Sequence, residues 1–152
     1  MNYKERMKLL RTYELLTQED IARVLKINRS TYKEYELQNS IIPIKHLNDF
    51  CNYFNTSIDY IFKFTESKKY NESRKEVNKS LFSNRLKELR KEYNLKQQDL
   101  ADILKIDNST ISKYERKINI IATPFLYDIC KKYNISADYL LGKIDHPKYL
   151  NK

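Results

Sequence analysis

Glycine occurs once in the 152 residues, proline three times, cysteine twice and tryptophan never. So little glycine and proline argues against disorder and against turn-rich all-β folds, while the abundance of Lys, Asn, Ile, Leu and Tyr points to helices joined by short connections. No apolar run approaches the ~20 residues needed to span a bilayer, and the opening MNYKERMK lacks the apolar stretch of a secretory signal. No membrane partner is expected, and the expected location is the cytoplasm. Cys51 and Cys130 match neither a disulfide framework nor a CxxC metal spacing, so both are expected to be reduced core thiols. There is no glycine-rich phosphate loop, no metal-ligand cluster and no nucleophile paired with a base. His46 and His146 stand alone. Neither an enzyme nor a bound metal or cofactor is expected.

What the chain does have is basic charge, a formal +9 with pI near 9.4. Clustered Lys and Arg favour a polyanionic partner, because they neutralise phosphates and release counterions. An AT-rich coding sequence would also enrich Lys, Asn and Ile, so basicity alone leaves the partner open.

The chain is also a duplication. Shifted by 79 positions against itself, it aligns Arg6 with Arg85, Gln18 with Gln97, Ala22 with Ala101, Tyr35 with Tyr114 and Tyr60 with Tyr139, without a gap. The expected organisation is an N-terminal domain over 1–64, a linker over 65–80, a C-terminal domain over 81–145 and a tail over 146–152. Two such domains leave no stretch for a small-molecule-sensing domain. The linker has one aliphatic residue, Val77. Extended at ~3.3 Å per residue it would span roughly 50 Å, and as a helix at ~1.5 Å per residue about 24 Å.

Each copy reads as five short helices, an all-α fold. Met7, Leu10 and Leu16, matched by Leu86, Leu89 and Leu95, mark the first. The second starts at TQEDIARVL, where Thr17 and Asp20 form a near capping box that Lys96 weakens in the second copy. Ile21, Ala22 and Leu25, repeated as Leu100, Ala101 and Leu104, give its buried stripe. Asn28 or Asp107 can cap a third helix that buries Tyr32 and Tyr35, or Ile111 and Tyr114. Ile44, Leu47, Phe50, Cys51 and Phe54 define the fourth. Asp59 and Tyr60, with Asp138 and Tyr139, mark a short fifth, and Gly142 is a C-terminal stop.

A helix, a tight turn and a second helix with a polar outer face is the helix-turn-helix arrangement. TQEDIARVLKINRSTYKEYE and KQQDLADILKIDNSTISKYE, with SADYLLGKID downstream, resemble the lambda-repressor-like, Cro/C1-type domain of the XRE family. The resemblance implies double-stranded DNA as partner, with the third helix of each copy in the major groove. Carried over by position, the base readers are Arg29, Ser30, Lys33 and Glu34 in one copy and Asn108, Ser109, Ser112 and Lys113 in the other. Arg suits the two acceptors of guanine and Asn the acceptor and donor of adenine. Gln18, Thr31, Gln97 and Thr110 are the implied phosphate contacts, joined in the second copy by Arg116 and Lys117. The family commonly joins Arg11 to Glu36, and Arg90 to Glu115, as partly buried ion pairs. Its usual glycine in the turn is Lys26 or Lys105 here.

The copies differ in charge: residues 1–66 carry 10 basic against 9 acidic side chains, and residues 81–152 carry 14 against 9. The leading expectation is a transcriptional regulator of repressor type that reads two unlike half-sites. The alternative confines DNA binding to the second copy and makes the first a dimerisation or partner-protein module, as in an antitoxin or anti-repressor. A homodimer or a partner protein stays open in either reading.

Overall fold

The computed structural model describes residues 2–150; residues 1, 151 and 152, at the ends of the expected N-terminal domain and tail, lie outside the described residues. The chain forms α1 (Lys4–Tyr13), α2 (Gln18–Leu25), α3 (Arg29–Leu37), α4 (Ile44–Phe54), α5 (Ile58–Ile61), α6 (Lys79–Glu92), α7 (Gln97–Leu104), α8 (Asn108–Glu115), α9 (Thr123–Tyr133) and α10 (Ala137–Leu140). Among the described residues there is no strand, only an isolated bridge between Ile135 and Tyr149. The architecture is two tandem five-helix units of helix-turn-helix type.

Local chemistry explains the breaks. Thr17 Oγ1 accepts from Asp20 N at 3.0 Å and Asp20 Oδ2 accepts from Thr17 N at 2.8 Å, which satisfies two of the unpaired amides that open α2. Lys96 offers no acceptor, so α7 keeps only half of this arrangement, from Lys96 N to Asp99 Oδ2 at 2.7 Å. Asn28 caps α3 through Thr31 N at 3.0 Å. Asp107 makes no such side-chain bond at the start of α8; its carbonyl accepts from Thr110 N instead.

Five turn positions recur at the 79-residue offset with positive φ: Leu15 and Asn94, Lys26 and Lys105, Gln38 and Lys117, Asn55 and Asn134, Lys63 and Gly142. Only the last of these ten is glycine, and there the space demands it. A Cβ on Gly142 would stand 2.9 Å from Asn78 Cβ and 3.0 Å from Leu81 Cβ.

The buried stripes meet in one continuous core with two matching lobes, one around Met7, Leu10, Ala22, Tyr32, Leu47 and Phe50, the other around Leu86, Leu89, Ala101, Ile111, Leu126 and Ile129. In both, an arginine ties the first helix to the last. Arg6 Nη1 donates to the Tyr60 and Thr65 carbonyls with its guanidinium 4.2 Å over the Tyr60 ring. Arg85 donates to Tyr139 and Ile144 and lies 4.0 Å over Tyr139.

The connector is neither a free extended tether nor a helix. It ends at Asn78, where the Asn78 side chain caps α6 through Leu81 N. The Lys68 carbonyl accepts from Ser57 N and Thr56 Oγ1, the Lys75 carbonyl from the Asn48 and Asn52 amides, while Arg74 N donates to Lys143 O and Asn78 N to Leu141 O. Its backbone is therefore docked on both units. The tail folds back likewise, with Ser136 N on Lys148 O and Leu150 N on Asn134 O.

The units meet through α5 and α10. Asp138 Oδ1 accepts from Ile58 N at 3.1 Å, and Asp59 Oδ1 accepts from Ala137 N at 2.7 Å. Ile58 and Ala137 are 79 apart, as are Asp59 and Asp138, so this is an isologous contact within one chain.

Candidate nucleic-acid interface

Burial of Tyr32, Tyr35 and Glu36 at i, i+3 and i+4 turns one side of α3 inward, and Ile111, Tyr114 and Glu115 do the same for α8. The opposite sides are left to solvent. Arg29, Ser30 and Lys33 are exposed and Glu34 is half-buried; Asn108, Ser109 and Lys113 are exposed and Ser112 is half-buried. Among the described residues, the side chains of Arg29, Lys33, Glu34, Asn108, Ser109, Lys113, Thr110 and Lys117 have no hydrogen-bond or ion-pair partner.

Other members of the set are engaged. Ser30 Oγ and Thr31 Oγ1 both donate to Asn28 Oδ1, at 2.9 and 2.7 Å. Their protons are thus spent on the helix cap, leaving oxygens that only accept. Sequence reasoning gave Asn28 the capping role alone and missed this second one. In the second unit Arg116 Nε donates to Ser112 Oγ at 3.0 Å, which aligns a cationic head beside a hydroxyl that keeps its own proton.

Gln18 and Gln97, at the first positions of α2 and α7, are anchored from behind. Glu36 Oε1 accepts from Gln18 Nε2 at 3.2 Å, and Glu115 Oε1 from Gln97 Nε2 at 3.3 Å. The same carboxylates take bidentate arginines: Arg11 Nε and Nη2 reach Glu36 at 2.6 and 3.0 Å, and Arg90 Nε and Nη2 reach Glu115 at 2.8 and 2.9 Å. Burial pushes the Glu36 carboxyl up, yet hydrogen bonds from Arg11, Tyr32 and Gln18 outweigh it and hold the group below the usual carboxylate value. In the second unit Ile111 stands where Tyr32 stands in the first. The result in each unit is one chain of contacts from the first helix, through the end of the third, to the amide that opens the second. One Gln amide proton stays free, and its carbonyl oxygen is unspent.

Around these faces the units are unlike. Leu37 ends α3 and Gln38 follows it, whereas the equivalent Arg116 and Lys117 both follow α8. His46 plays a packing part, its Nδ1 3.1 Å from Tyr35 Oη, and Cys51 and Cys130 are buried thiols. No helix among the described residues is long and apolar enough to cross a membrane.

A sequence profile of a helix-turn-helix domain family matches residues 5–66 and again residues 83–146. The HTH-type transcriptional regulator ImmR of Bacillus subtilis (strain 168) is 42% identical over 59 residues, which are 39% of this chain and 46% of that relative. The chain thus spans less than half the length of the curated relative it matches. No solved structure matches significantly.

Proposed function

The chain belongs to the helix-turn-helix domain family in both of its halves, and on that footing we propose that it is a sequence-specific double-stranded DNA-binding transcriptional regulator of repressor type, with α3 and α8 as its major-groove helices. One observation carries the reading: two copies of a frame that fixes Gln18 or Gln97 through Glu36 or Glu115, each beside a solvent-facing helix side where the tips of Arg29 and Lys33, or Asn108 and Lys113, have no partner among the described residues. Arg29 supplies two parallel donors for guanine O6 and N7. Asn108 supplies the donor and acceptor that adenine requires, and each good bidentate pair discriminates by about 1–3 kcal/mol. Gln18 and Gln97 each keep one amide proton for a phosphate oxygen. Because Arg29 and Asn108 differ in chemistry, the two half-sites differ in sequence.

The docked connector makes the two heads a pre-assembled pair, so the second contact follows the first at high effective concentration. The name of the Bacillus relative, a transcriptional regulator, agrees with this role.

A second reading has its own support. The N-terminal unit is near-neutral overall, Ser30 and Thr31 are turned onto Asn28, and Leu37 stands where Arg116 follows α8. On that reading only the C-terminal unit binds DNA, and the N-terminal unit serves as a module for a protein partner or for dimerisation. Titrating a bound duplex with Arg29→Ala and with Asn108→Ala separates the two. Losses in both support two reading heads, a loss in Asn108→Ala alone supports the second reading, and no loss in either removes the proposal.

A further inference from the structure

The contact between α5 and α10 is symmetric at its centre and asymmetric at its two edges. At the centre, the exchanged caps of Asp59 and Asp138 would form equally well between two like halves. The edges are different. On one, the Phe64 ring stacks on Tyr127 at 5.2 Å, Phe62 meets Tyr127 at 5.4 Å, and Lys131 Nζ lies 5.8 Å over the Tyr127 ring. The 79-residue offset converts Phe64 into Lys143, Tyr127 into Asn48 and Lys131 into Asn52. The opposite edge is accordingly polar: Lys143 Nζ donates to Asn52 Oδ1 at 3.3 Å, and the Asn48 and Asn52 amides donate to the Lys75 carbonyl. Lys143 is only 2% exposed.

We propose that this surface is coded for unlike halves, so that the N-terminal half accepts the C-terminal half and neither accepts a second copy of itself. Pairing two C-terminal halves would set Lys143 beside Tyr127 and Lys131 at both edges. A buried ammonium would then lose its amide acceptor and face a like charge. Pairing two N-terminal halves would press Phe64 against Asn48 and Asn52 at both edges, and the Asn52 carbonyl would lose its only cation. Each like pairing keeps the caps and spoils both edges, whereas the unlike pairing fills one edge with aromatic stacking and ties the other through Lys143, Asn52 and the Asn48 amide, with Asn48 Oδ1 left as a buried acceptor without a partner among the described residues. Specificity of this kind comes from the wrong partner's clashes as much as from the right partner's contacts. Thr123 counts against the N-terminal like pair alone: its hydroxyl donates to the Ile42 carbonyl across the contact, and the equivalent residue in the first half is Ile44, which has no donor. The partner this surface fits is therefore the opposite half, from the same chain or from a second copy in an exchanged pair. None of this depends on the proposed reading of DNA.

The test uses the full chain. Asn52→Lys sets a second ammonium beside Lys143, and the amides of Ile58, Asp59 and Ala137 are expected to lose hydrogen-exchange protection by about ten-fold or more while helix content is kept. Adding Lys143→Glu to that variant is expected to restore protection. The mirror pair tests the other edge: Phe64→Lys beside Lys131 is expected to expose the same amides, and adding Lys131→Asn to protect them again. Wild-type protection in both single variants would overturn the proposal, as would double variants as open as the singles. So would wild-type dimers by sedimentation in which mass spectrometry of cross-linked species finds N-terminal half joined to N-terminal half.

Discussion

Asp59 and Asp138 each cap the short helix that carries the other, with Asp138 Oδ2 2.8 Å from Asp59 N and Asp59 Oδ1 2.7 Å from Ala137 N. Both are fully buried. Burial and the neighbouring Asp138 carboxylate push the Asp59 carboxyl well above its usual value, against the hydrogen bonds from Ser136 and Tyr70. The two carboxylates and burial push the nearby Cys51 and Cys130 thiols up, and the Lys143 ammonium acts on Cys51 in the opposite direction.

The sign of the pH effect follows. An acid whose folded pKa is raised adds stability that is complete below its unfolded value and is lost as pH rises through the folded value. Denaturant midpoints are therefore expected to fall from mildly acidic to neutral and alkaline pH. Asp59→Asn, whose amide oxygen still accepts from Ala137 N while its NH2 can no longer accept from Ser136 and Tyr70, should flatten that slope. At more acidic pH the opposite group takes over: Glu36, held below its usual value, loses its contribution as pH falls through its folded value. A wild-type midpoint that rises steadily from pH 5 to pH 9 would contradict this account.

The two buried ion pairs give a second expectation. Glu36 and Glu115 side chains are 4% and 2% exposed, and each holds a bidentate arginine and a glutamine. Removing one partner leaves a buried charge alone, so Arg11→Met or Arg90→Met should each cost about 3–5 kcal/mol in urea unfolding. The exposed pair Lys45–Asp49 should cost no more than about 1 kcal/mol when broken.

Leu15 lies in the left-handed region at φ 58 and is 90% exposed, where its side chain gains nothing from packing. Asn94 occupies the equivalent position at φ 54. Leu15→Asn should stabilise the chain by about 1 kcal/mol, since short polar side chains tolerate this region better. Gly142→Ala should act in the opposite direction, because its Cβ would meet Asn78 and Leu81. Thermal midpoints of the two variants should bracket that of the wild type.

Much of this fold was legible because the sequence states it twice. Ile21, Ala22 and Leu25 recur as Leu100, Ala101 and Leu104, and a helical period read in two diverged copies leaves little choice of buried face. The outer sides of α3 and α8 follow once Tyr32 and Tyr35, or Ile111 and Tyr114, are placed inside. Illegible parts depend on partners distant in sequence or on backbone atoms. Asp59 and Asp138 read as markers of short fifth helices, not as caps exchanged between halves. The connector's polar side chains left its conformation open between an extended span and a helix, because its docking runs through the carbonyls of Lys68 and Lys75, which any residue would supply. The engagement of Ser30 and Thr31 by Asn28 is a matter of side-chain rotamers within one helical turn, and residue identities alone do not fix it.

Salt dependence distinguishes phosphate contacts from base contacts. Arg116→Gln should weaken every duplex alike and reduce the slope of log affinity against log salt by about 1, whereas Asn108→Ala should relax the preference at one position with little change in slope. Both are measurable by titration of labelled duplexes at several salt concentrations.

The most direct measurement is selection of bound duplexes from a random pool with the full chain, repeated with Arg29→Ala. Two dissimilar half-sites are predicted, the one with a guanine preference losing that preference in the variant. A single enriched half-site unchanged by Arg29→Ala, or no enrichment of any duplex, would contradict the account.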